Sequence, residues 1–387
     1  MPLDRKPSIC FVALNAYNVL SGREDIDHIG GAEVQQVGIA SWLVHRGYPV
    51  SFVTLDHGQP DGVNLNGIVV RKAYAKGDGI KGLKFIHPRW SGLWAAMTRA
   101  NADLYYQRAA GYETGQVALW CRLHRRKFIF AVANDGDCDL TRRALKVRRE
   151  RALYRVGIRL ADGITAQTMT QQDVLRQKMG LSAVLVRNCG WRAGDDLSRD
   201  QPSPGPSGFA RVLWVGRISQ QKRLEWLLDV AERFPQVIFD VVGAPNTGST
   251  YASELIERAA KISNVEMHGP VRHADMIEYY RKCHVLCCTS AREGFPNTFL
   301  EAWSLGIPVV STFDPDGAIG ANGLGWVAQD VEGIAAHLEE IARSPEVRVR
   351  AARAARQYYL RNHTPDACLP VLERLLRTVA GFGSDSQ

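Results

Sequence analysis

Apolar and polar positions alternate between strand-like and helix-like patterns along the first half of the chain. Residues 9–14 form a continuous apolar run, and after a polar loop the apolar positions Val34, Val37, Leu43 and Val44 recur at helical spacing. Gly47 fits the end of that helix, and residues 50–55 are predicted to form the next strand. Further strands are predicted over residues 68–70, 104–106, 128–132, 163–165 and 184–186, with helices between most of them. Such alternation predicts a parallel sheet covered by helices on both faces.

A change of composition divides the chain. Residues 190–208 are rich in Gly, Pro and polar residues, which is typical of an interdomain linker. The alternation then restarts, with strands predicted over residues 211–215, 237–242, 265–267, 285–288 and 308–310 and helices between them. The sequence therefore predicts an α/β protein with two Rossmann-like domains, residues 1–189 and 209–364, and a final helix over about residues 365–379.

The composition limits the class of protein. The chain has 387 residues, 45% of them hydrophobic and 23% charged, which suits a globular protein with two separate cores. The start of the chain lacks a basic region followed by an apolar core, and no run approaches the roughly 18 apolar residues of a membrane helix. Eight cysteines follow no regular framework, so we expect a reduced, cytoplasmic protein without disulfides or a zinc site.

The net charge of +8 is unevenly distributed. Residues 1–200 contain 29 Lys and Arg against 19 Asp and Glu, and much of the excess lies in residues 142–151, followed by Arg155 and Arg159. This half of the protein is expected to face something anionic: a membrane surface, a phosphorylated acceptor or a nucleic acid. A solvated basic helix face explains the same residues equally well. Peripheral contact with the inner face of an anionic membrane is thus one expectation for this region.

The most informative stretch follows the predicted strand 285–288. Glu293 lies on the loop after that strand, and Glu301 lies about one turn inside the helix that the Gly294, Phe295, Pro296, Asn297 turn opens. A helix N-terminus offers unpaired N–H groups and a positive dipole end to an anion such as a phosphate. Two carboxylates beside it can hold hydroxyl groups. The arrangement suits a sugar attached to a nucleotide diphosphate.

The residues around the two glutamates strengthen this interpretation. Ser290, Glu293, Gly294, Phe295, Pro296, Glu301 and Ala302, followed by residues 306–310, resemble the donor-site motif of the retaining family 4 glycosyltransferases, in which seven residues separate two glutamates. The resemblance implies the GT-B fold: two Rossmann-like domains that face each other across a cleft, with the final segment 365–387 packing back on the first domain. In that family the first glutamate lies by the transferred sugar and the second binds the nucleotide ribose.

Further parts of the motif set are cations and glycines. Arg217 and Lys222 follow the first strand of the second domain and resemble the family's phosphate-binding pair, so with Glu293 they are the predicted catalytic residues. Gly30 and Gly31 resemble the glycine-rich loop that faces the donor from the first domain. We also assign Gly243, Val271, Gly294, Phe295, Pro296, Asn297 and Glu301 to the donor site.

One position departs from the family pattern. Many members carry a His after the strand that corresponds to residues 128–133, where this chain has Asn134 and Asp135. These two residues and Arg108 are the candidates for contact with the acceptor. Asp135, Asp137 and Asp139 could instead hold a divalent cation, as an Asp-x-Asp motif does in the other large glycosyltransferase fold. Because Arg217 and Lys222 already supply positive charge, and GT-B enzymes resemble metal-free catalysts, we expect no metal and no cofactor.

The expected activity is retaining transfer of a sugar from a UDP- or GDP-linked donor to a hydroxyl of a saccharide, lipid-linked or small-molecule acceptor, as in polysaccharide biosynthesis. A nucleotide-sugar epimerase and a sugar phosphorylase on the same fold are alternatives, although the chain shows no local signature of the phosphorylase's pyridoxal-binding lysine. A nucleic-acid-binding protein is the alternative from another class. It would leave Glu293 and Glu301 unexplained, and the basic half lacks the aromatic and basic interleaving of known modules.

Overall fold

The computed structural model describes residues 5–22, 30–139, 147–190, 211–246 and 248–382, which form two compact units. Unit 1 comprises residues up to Cys189 together with those from Cys368 onward, and unit 2 comprises residues Gly190–Ala367. Of the predicted linker 190–208, only Gly190 lies within the described residues, and residues 142–146 of the basic stretch also lie outside them.

Unit 1 is a parallel sheet with helices between its strands. Its strands and helices, in chain order, are β1 (Ile9–Val12), α1 (Tyr17–Ser21), α2 (Gly31–His45), β2 (Val50–Asp56), β3 (Val63–Leu65), β4 (Ile68–Ala75), α3 (Ser91–Ala100), β5 (Leu104–Arg108), α4 (Glu113–Leu123), β6 (Lys127–Ala131), α5 (Arg148–Leu160), β7 (Gly163–Ala166), α6 (Met169–Val174) and β8 (Val184–Leu185). The strand order is β3-β4-β2-β1-β5-β6-β7-β8, and only the β3–β4 pair is antiparallel.

Unit 2 repeats the design with six parallel strands. Its elements are β9 (Arg211–Val215), α7 (Leu224–Ala231), β10 (Ile238–Val242), α8 (Thr250–Ala259), β11 (Val265–Gly269), α9 (Met276–Lys282), β12 (Val285–Cys288), α10 (Asn297–Ser304), β13 (Val309–Ser311), α11 (Ala318–Asn322), β14 (Gly325–Val327), α12 (Val331–Arg343) and α13 (Pro345–Asn362), followed by α14 (Pro365–Val379). The strand order β11-β10-β9-β12-β13-β14 is that of a Rossmann fold.

Burial on both faces explains the apolar runs in the sequence. Strands of a parallel sheet are covered by helices on each side, so successive side chains are all buried. In unit 1, Phe11 stacks on Phe52 with ring centroids 5.0 Å apart and contacts Tyr106 at 5.1 Å. In unit 2, Trp214 and Phe239 lie in the core under α7 and α12, and Leu213 lies in the core under α9 and α10 on the opposite face.

The predicted strands correspond to observed ones with boundaries shifted by at most two residues, except that β4, predicted to end at residue 70, continues to Ala75. β3 and β14 were not predicted, because each has only three residues, none of them fully buried. One of the helices predicted between the strands is α6, which continues over Leu175–Met179 as a wider turn. From Cys368 onward α14 belongs to unit 1, where Tyr48 donates a hydrogen bond of 2.8 Å to Glu373.

All eight cysteines are buried, and none of them forms a disulfide. Burial raises the pKa of the Cys10 and Cys138 thiols to about 12, so both side chains stay neutral. They act as small hydrophobic residues of the core.

Candidate functional site

The carboxyl edge of the unit 2 sheet contains its switch point. β9 and β12 are neighbours, but α7 follows β9 on one face and α10 follows β12 on the other. The two loops therefore diverge and leave a crevice between the strand ends, which is where open α/β sheets bind ligands. Residues 216–223 form one loop and residues 289–296 the other, so both halves of the predicted catalytic set lie at this crevice.

Hydrogen bonds hold the two loops together. The Ala291 N–H donates to the Gln221 carbonyl at 2.8 Å, and the Gln221 amide donates to the Arg292 carbonyl at 2.8 Å. Thr289 donates its hydroxyl proton to the Lys222 carbonyl at 2.6 Å and accepts from the buried Trp214 indole at 3.0 Å. The crevice is thus a fixed structure within unit 2.

Arg223 is a cation with a structural role in this crevice. Its guanidinium donates to the carbonyls of Thr289 at 2.7 Å and Ser290 at 3.0 Å, and it lies 3.9 Å from the centre of the Trp226 ring. Its φ of 49° places it in the left-handed region at the start of α7. Because these contacts occupy its donors, Arg223 positions the β12 loop. Sequence analysis did not identify this role, since it depends on carbonyls 66 and 67 positions away.

Lys222 and Glu293, both predicted to be catalytic, form an ion pair between Nζ and Oε1. The Lys222 side chain is 26% exposed and that of Glu293 is 14% exposed, so both groups are screened only partly by water. Arg217 is exposed, and within the described ranges its guanidinium makes no hydrogen bond or ion pair. Besides Arg223, the loop after β9 therefore carries Lys222, which is paired with Glu293, and Arg217, which has no ion-pair partner among the described residues.

Gly243 is required by the close approach of two loops at this edge. Its φ is 150°, and a Cβ added there would lie 1.8 Å from the Gly216 carbonyl oxygen. The Gly243 N–H donates to the Gly269 carbonyl at 2.8 Å, which ties the ends of β10 and β11 together. Its observed role is thus to let the strand ends pack, and its contact with a donor stays a prediction.

The turn before α10 is anchored by packing. Gly294, Phe295 and Pro296 are buried, and the Phe295 ring lies 4.9 Å from the His363 ring and 6.0 Å from the Trp303 ring. Pro296 is the N-cap residue, and no side chain caps the helix there. Phe295 thus fixes the position of the α10 N-terminus from beneath. Val271 is half-buried against the same core cluster.

Glu301 lies on α10 with both carboxylate oxygens in contact with side chains. Oε2 accepts a hydrogen bond of 2.6 Å from the buried Tyr280 hydroxyl, and Oε1 lies 3.3 Å from Nε2 of His273. The hydrogen bond to Glu301 raises the pKa of His273, against the opposing effect of desolvation. Burial, with Glu301 beside it, raises the pKa of Tyr280 well above its ordinary value, so the phenol remains a donor. Sequence analysis missed Tyr280 and His273 as partners of Glu301.

In unit 1, Gly30 is the N-cap residue of α2 and Gly31 its first residue. The φ of Gly30 is −91°, a conformation open to any residue, and a Cβ added there would meet only the flexible Glu33 carboxylate, at 2.1 Å. The backbone here does not itself require glycine. A role in ligand approach stays a prediction for both glycines.

Two of the predicted acceptor residues, Arg108 and Asp135, are joined by a buried hydrogen-bond network that runs through three amide side chains and one backbone N–H. Arg108 donates to Asn188 at 2.6 Å, Asn188 donates to the Gln167 side chain at 2.8 Å, and the Gln167 N–H donates to the Gln171 side chain at 3.0 Å. Gln171 in turn donates to Asp135 at 2.9 Å. We name Asn188, Gln167 and Gln171 the amide relay. Asn134 is exposed beside it.

The acidic residues proposed as an alternative metal site do not come together. Asp137 is fully buried and accepts the Ala133 N–H at 2.8 Å, whereas Asp135 and Asp139 are exposed. Across the described ranges, the only group of three candidate ligand side chains within 4.8 Å of one another is Asp240, Glu266 and His268. Arg211 already forms ion pairs with Asp240 at 2.8 Å and Glu266 at 3.5 Å, so a cation there would have to displace a guanidinium.

Two family models cover most of the chain. Residues 30–190 match the glycosyl transferase 4-like domain, and residues 210–344 match the glycosyl transferases group 1 model. The chain belongs to glycosyltransferase family 4. The predicted glycosyltransferase activity is thereby confirmed.

Individual relatives agree with this assignment. The amylovoran biosynthesis glycosyltransferase AmsD of Erwinia amylovora is 25% identical over 88% of this chain and 94% of its own length. Sucrose-phosphate synthase from Thermosynechococcus elongatus superposes with a TM-score of 0.77 at 17% identity, covering 97% of this chain and 100% of that one. The Anabaena protein HepE, solved with UDP and glucose, superposes with a TM-score of 0.74 at 18% identity and with the same coverage. The likeness to these solved structures confirms the predicted GT-B fold.

The helices of the described residues were compared with the length and hydropathy that a bilayer requires. None is long and apolar enough to span a membrane.

Proposed function

We propose that this glycosyltransferase moves a sugar from a nucleotide-diphosphate donor to a hydroxyl group of a saccharide acceptor, with retention of configuration and without a metal or other cofactor. The observation that carries the proposal is the Lys222–Glu293 pair at the switch point of unit 2, with the unpaired Arg217 on the same loop. A diphosphate at this edge would meet two cations and the N-terminus of α10. These groups supply the positive charge that a metal provides in other enzymes.

In the proposed reaction, the bond between the anomeric carbon and the donor phosphate oxygen breaks as the acceptor hydroxyl attacks from the same face. The new bond joins the acceptor oxygen to the anomeric carbon, and the hydroxyl proton passes to the departing phosphate oxygen. Lys222 and Arg217 stabilise the negative charge that develops on that oxygen. One well-placed donor of this kind contributes roughly 3–4 kcal/mol to the transition state.

Glu293 acts with Lys222 in this scheme. In the structure the Lys222 ammonium is paired with the Glu293 carboxylate. When a diphosphate binds, Lys222 interacts with the phosphate oxygens, and Glu293 becomes available to accept hydrogen bonds from the sugar hydroxyls. Glu301 accepts from the ribose hydroxyls, since each carboxylate oxygen has a second lone pair beyond those used by Tyr280 and His273.

The acceptor is proposed to lie against the Arg108, Asn134 and Asp135 edge of unit 1. The amide relay holds Arg108 and Asp135 in fixed orientations, as hydroxyl recognition requires. AmsD acts in amylovoran biosynthesis, which supports a saccharide or lipid-linked saccharide of polysaccharide biosynthesis as the acceptor class here. HepE was solved with UDP and glucose, so UDP-sugars are the first donors to test, with GDP-sugars next.

A panel of nucleotide sugars, read by thermal stabilisation and then by product analysis, tests this proposal. A ligand at 100 times its Kd adds about 2.7 kcal/mol to the free energy of unfolding, so the true donor is easily seen. We expect one UDP- or GDP-sugar to stabilise the protein and to give a product of unchanged anomeric configuration. An inverted product would contradict the retaining mechanism, and no stabilisation by any member would contradict the donor class.

Chelation tests the metal-free part of the proposal. Activity should persist in EDTA at its full value, because Arg217, Lys222 and the α10 N-terminus supply the positive charge. Complete loss in EDTA, restored by Mn²⁺ or Mg²⁺, would overturn this part and direct attention to Asp135 and Asp139.

A further inference from the structure

Unit 1 exposes an apolar and basic segment directly after β4. We name residues 76–86 the wedge. Ile80 is 72% exposed, Leu83 55% and Ile86 65%, and all three are among the most exposed large aliphatic side chains of the described residues. Single exposed aliphatic residues are normal in soluble proteins, but a local cluster marks an interaction surface.

The backbone of the wedge brings these three side chains together. The Leu83 N–H donates to the Ile80 carbonyl at 3.0 Å, and the Ile86 N–H donates to the Leu83 carbonyl at 2.9 Å. Ile80, Leu83 and Ile86 therefore follow one another at successive turns of one short segment, and we name these three exposed aliphatic side chains the ridge.

Cations surround the ridge. Lys76 and Lys81 are exposed and form no ion pair with any described residue, while Lys84 donates to the Gly77 carbonyl at 2.7 Å. Asp78 is the single acidic residue of the wedge. The ridge is thus bordered by three positive charges and one negative charge.

The first turn of α5 extends this basic surface. The Arg149 guanidinium lies 4.2 Å from the centre of the Phe85 ring, which places the start of α5 next to the wedge. Arg148 is exposed there as well, beside Val147, which is 41% exposed. The opposite face of α5 is packed against α4, where a Cβ on Gly157 would come within 2.5 Å of the Thr114 carbonyl group. The outward face of α5 is therefore the one available to a partner.

We propose that the wedge and the first turn of α5 dock on an anionic phospholipid bilayer, with the aliphatic ridge inserted among the headgroups. The combination of groups selects this partner. A nucleic acid or an acidic polysaccharide would pair with the lysines but would leave three large aliphatic side chains in water. A bilayer interface can bind both the lysines and the aliphatic side chains, because it offers anionic headgroups and apolar chains within a few ångströms of each other.

The wedge and the first turn of α5 lie at the same edge of the unit 1 sheet. β4 and β6 are parallel members of one sheet, so the wedge after β4 and α5 after β6 both begin at its carboxyl edge. Arg108 and Asp135 lie at the same edge. A bilayer bound there would lie beside the proposed acceptor residues, although the docking itself does not depend on the proposed reaction.

Co-sedimentation of the full chain with vesicles tests the proposal. One set of vesicles contains phosphatidylcholine alone, and the other contains about one third phosphatidylglycerol. The wild type should bind the anionic vesicles and release them at high salt. A variant carrying Ile80→Ser, Leu83→Ser and Ile86→Ser should partition at least tenfold less strongly, because it can no longer bury the ridge.

Three further single variants separate the effect of charge from the effect of position. Lys76→Gln and Lys81→Gln should each weaken binding to anionic vesicles by about fivefold at low salt. Leu123→Ser is the matched control, because Leu123 is 67% exposed and lies among exposed arginines at the end of α4, at the amino edge of the same sheet. It should bind like the wild type.

Three outcomes would overturn the proposal: negligible binding of the wild type to both vesicles, unchanged binding of the triple serine variant, or equal losses in that variant and in Leu123→Ser. Binding to RNA or an acidic polysaccharide that requires the lysines but not the ridge, without vesicle binding, would assign the surface to another polyanion. The assay uses no donor or acceptor, so its failure would leave the proposed transfer reaction standing.

Discussion

The carboxyl edges of the two sheets are built from different chemistry. In unit 2 the edge carries ionised groups: Lys222 paired with Glu293, and Glu301 beside His273. In unit 1 the predicted residues Arg108 and Asp135 are joined by the uncharged amide relay. Ion pairs at a partly exposed edge can exchange one partner for a ligand, whereas a buried amide network holds its members in one arrangement. We name the carboxyl edge of unit 2 the proposed donor edge and that of unit 1 the proposed acceptor edge. The comparison predicts that the Lys222 side chain changes its partner when a donor binds, whereas the proposed acceptor edge is preorganised.

The largest expected effect is at the donor edge. Lys222→Ala should lower kcat by a factor on the order of 10²–10³, because the departing diphosphate loses a cation. Glu293→Gln should also remove most activity while the fold survives, since neither side chain contributes to a core cluster. Sugar-transfer assays on the folded variants measure the loss of kcat.

Lys261→Ala is the matched control for that prediction. Lys261 is an exposed lysine of unit 2 that lies between α8 and β11, at the amino edge of the sheet. It should keep wild-type turnover. If Lys222→Ala also kept it, Lys222 would have no part in catalysis and the contrast between the two edges would fail.

A smaller effect is expected at the acceptor edge. Asn188→Ala removes one buried hydrogen-bond partner from the Arg108 guanidinium and one from the Gln167 side-chain oxygen, which costs about 1–3 kcal/mol of stability. Because Arg108 is then free to turn, we expect the KM for the acceptor to rise by roughly tenfold. Stabilisation by the donor should be unchanged, since donor binding is assigned to unit 2.

An arginine–asparagine bond elsewhere in unit 1 provides the control. Arg126 donates to Asn101 at 2.6 Å at the amino edge of the sheet. Asn101→Gly removes that bond and keeps the left-handed backbone at φ 44°. This variant should leave the KM for the acceptor and the KM for the donor unchanged. A change in donor affinity in Asn188→Ala would contradict the separation of the two edges.

The smallest effect is a pH dependence at Glu301. The folded-state pKa of His273 is raised above its ordinary 6.5 by the hydrogen bond to Glu301. The contribution of this pair to stability is therefore fully present below pH 6.5 and is lost as the pH rises through the folded pKa. His273 is 41% exposed, so the contribution is on the order of 0.5 kcal/mol. Urea unfolding of the wild type and His273→Gln should differ more at pH 5.5 than at pH 9, and an equal difference at both would contradict this.

The donor edge could be predicted from sequence to a greater extent than the acceptor edge. Glu293, the α10 N-terminus and Glu301 occupy one short stretch, so a motif specifies them together. Asn188 lies 80 positions after Arg108 in the chain, so their hydrogen bond, and the network that continues through Gln167 and Gln171, exists only once β5, β6, β7 and β8 are assembled in one sheet. The contacts of Tyr280 and His273 with Glu301, over 21 and 28 positions, were missed for the same reason.

The strands were predicted correctly wherever their burial leaves a continuous apolar run in the sequence. Parallel strands such as β5 and β12 are buried along their whole length or nearly so, and their apolar runs show it. β3 and β14 carry no such pattern because they pair at the margins of the sheets. Phe295 shows the limit at the level of one residue: its place in the motif predicts a donor contact, while in the structure its ring packs against Trp303 and His363.

The central claim is tested most directly by isothermal titration calorimetry. The titrant is the nucleoside diphosphate that the true donor releases, and the proteins are the wild type, Lys222→Ala and Lys261→Ala. The claim is that the carboxyl edge of unit 2 binds the diphosphate through a cation held ready by Glu293. We predict that Lys222→Ala weakens binding at least tenfold, that Lys261→Ala binds like the wild type, and that the wild-type affinity falls with rising salt. Equal affinity of all three proteins would contradict the account.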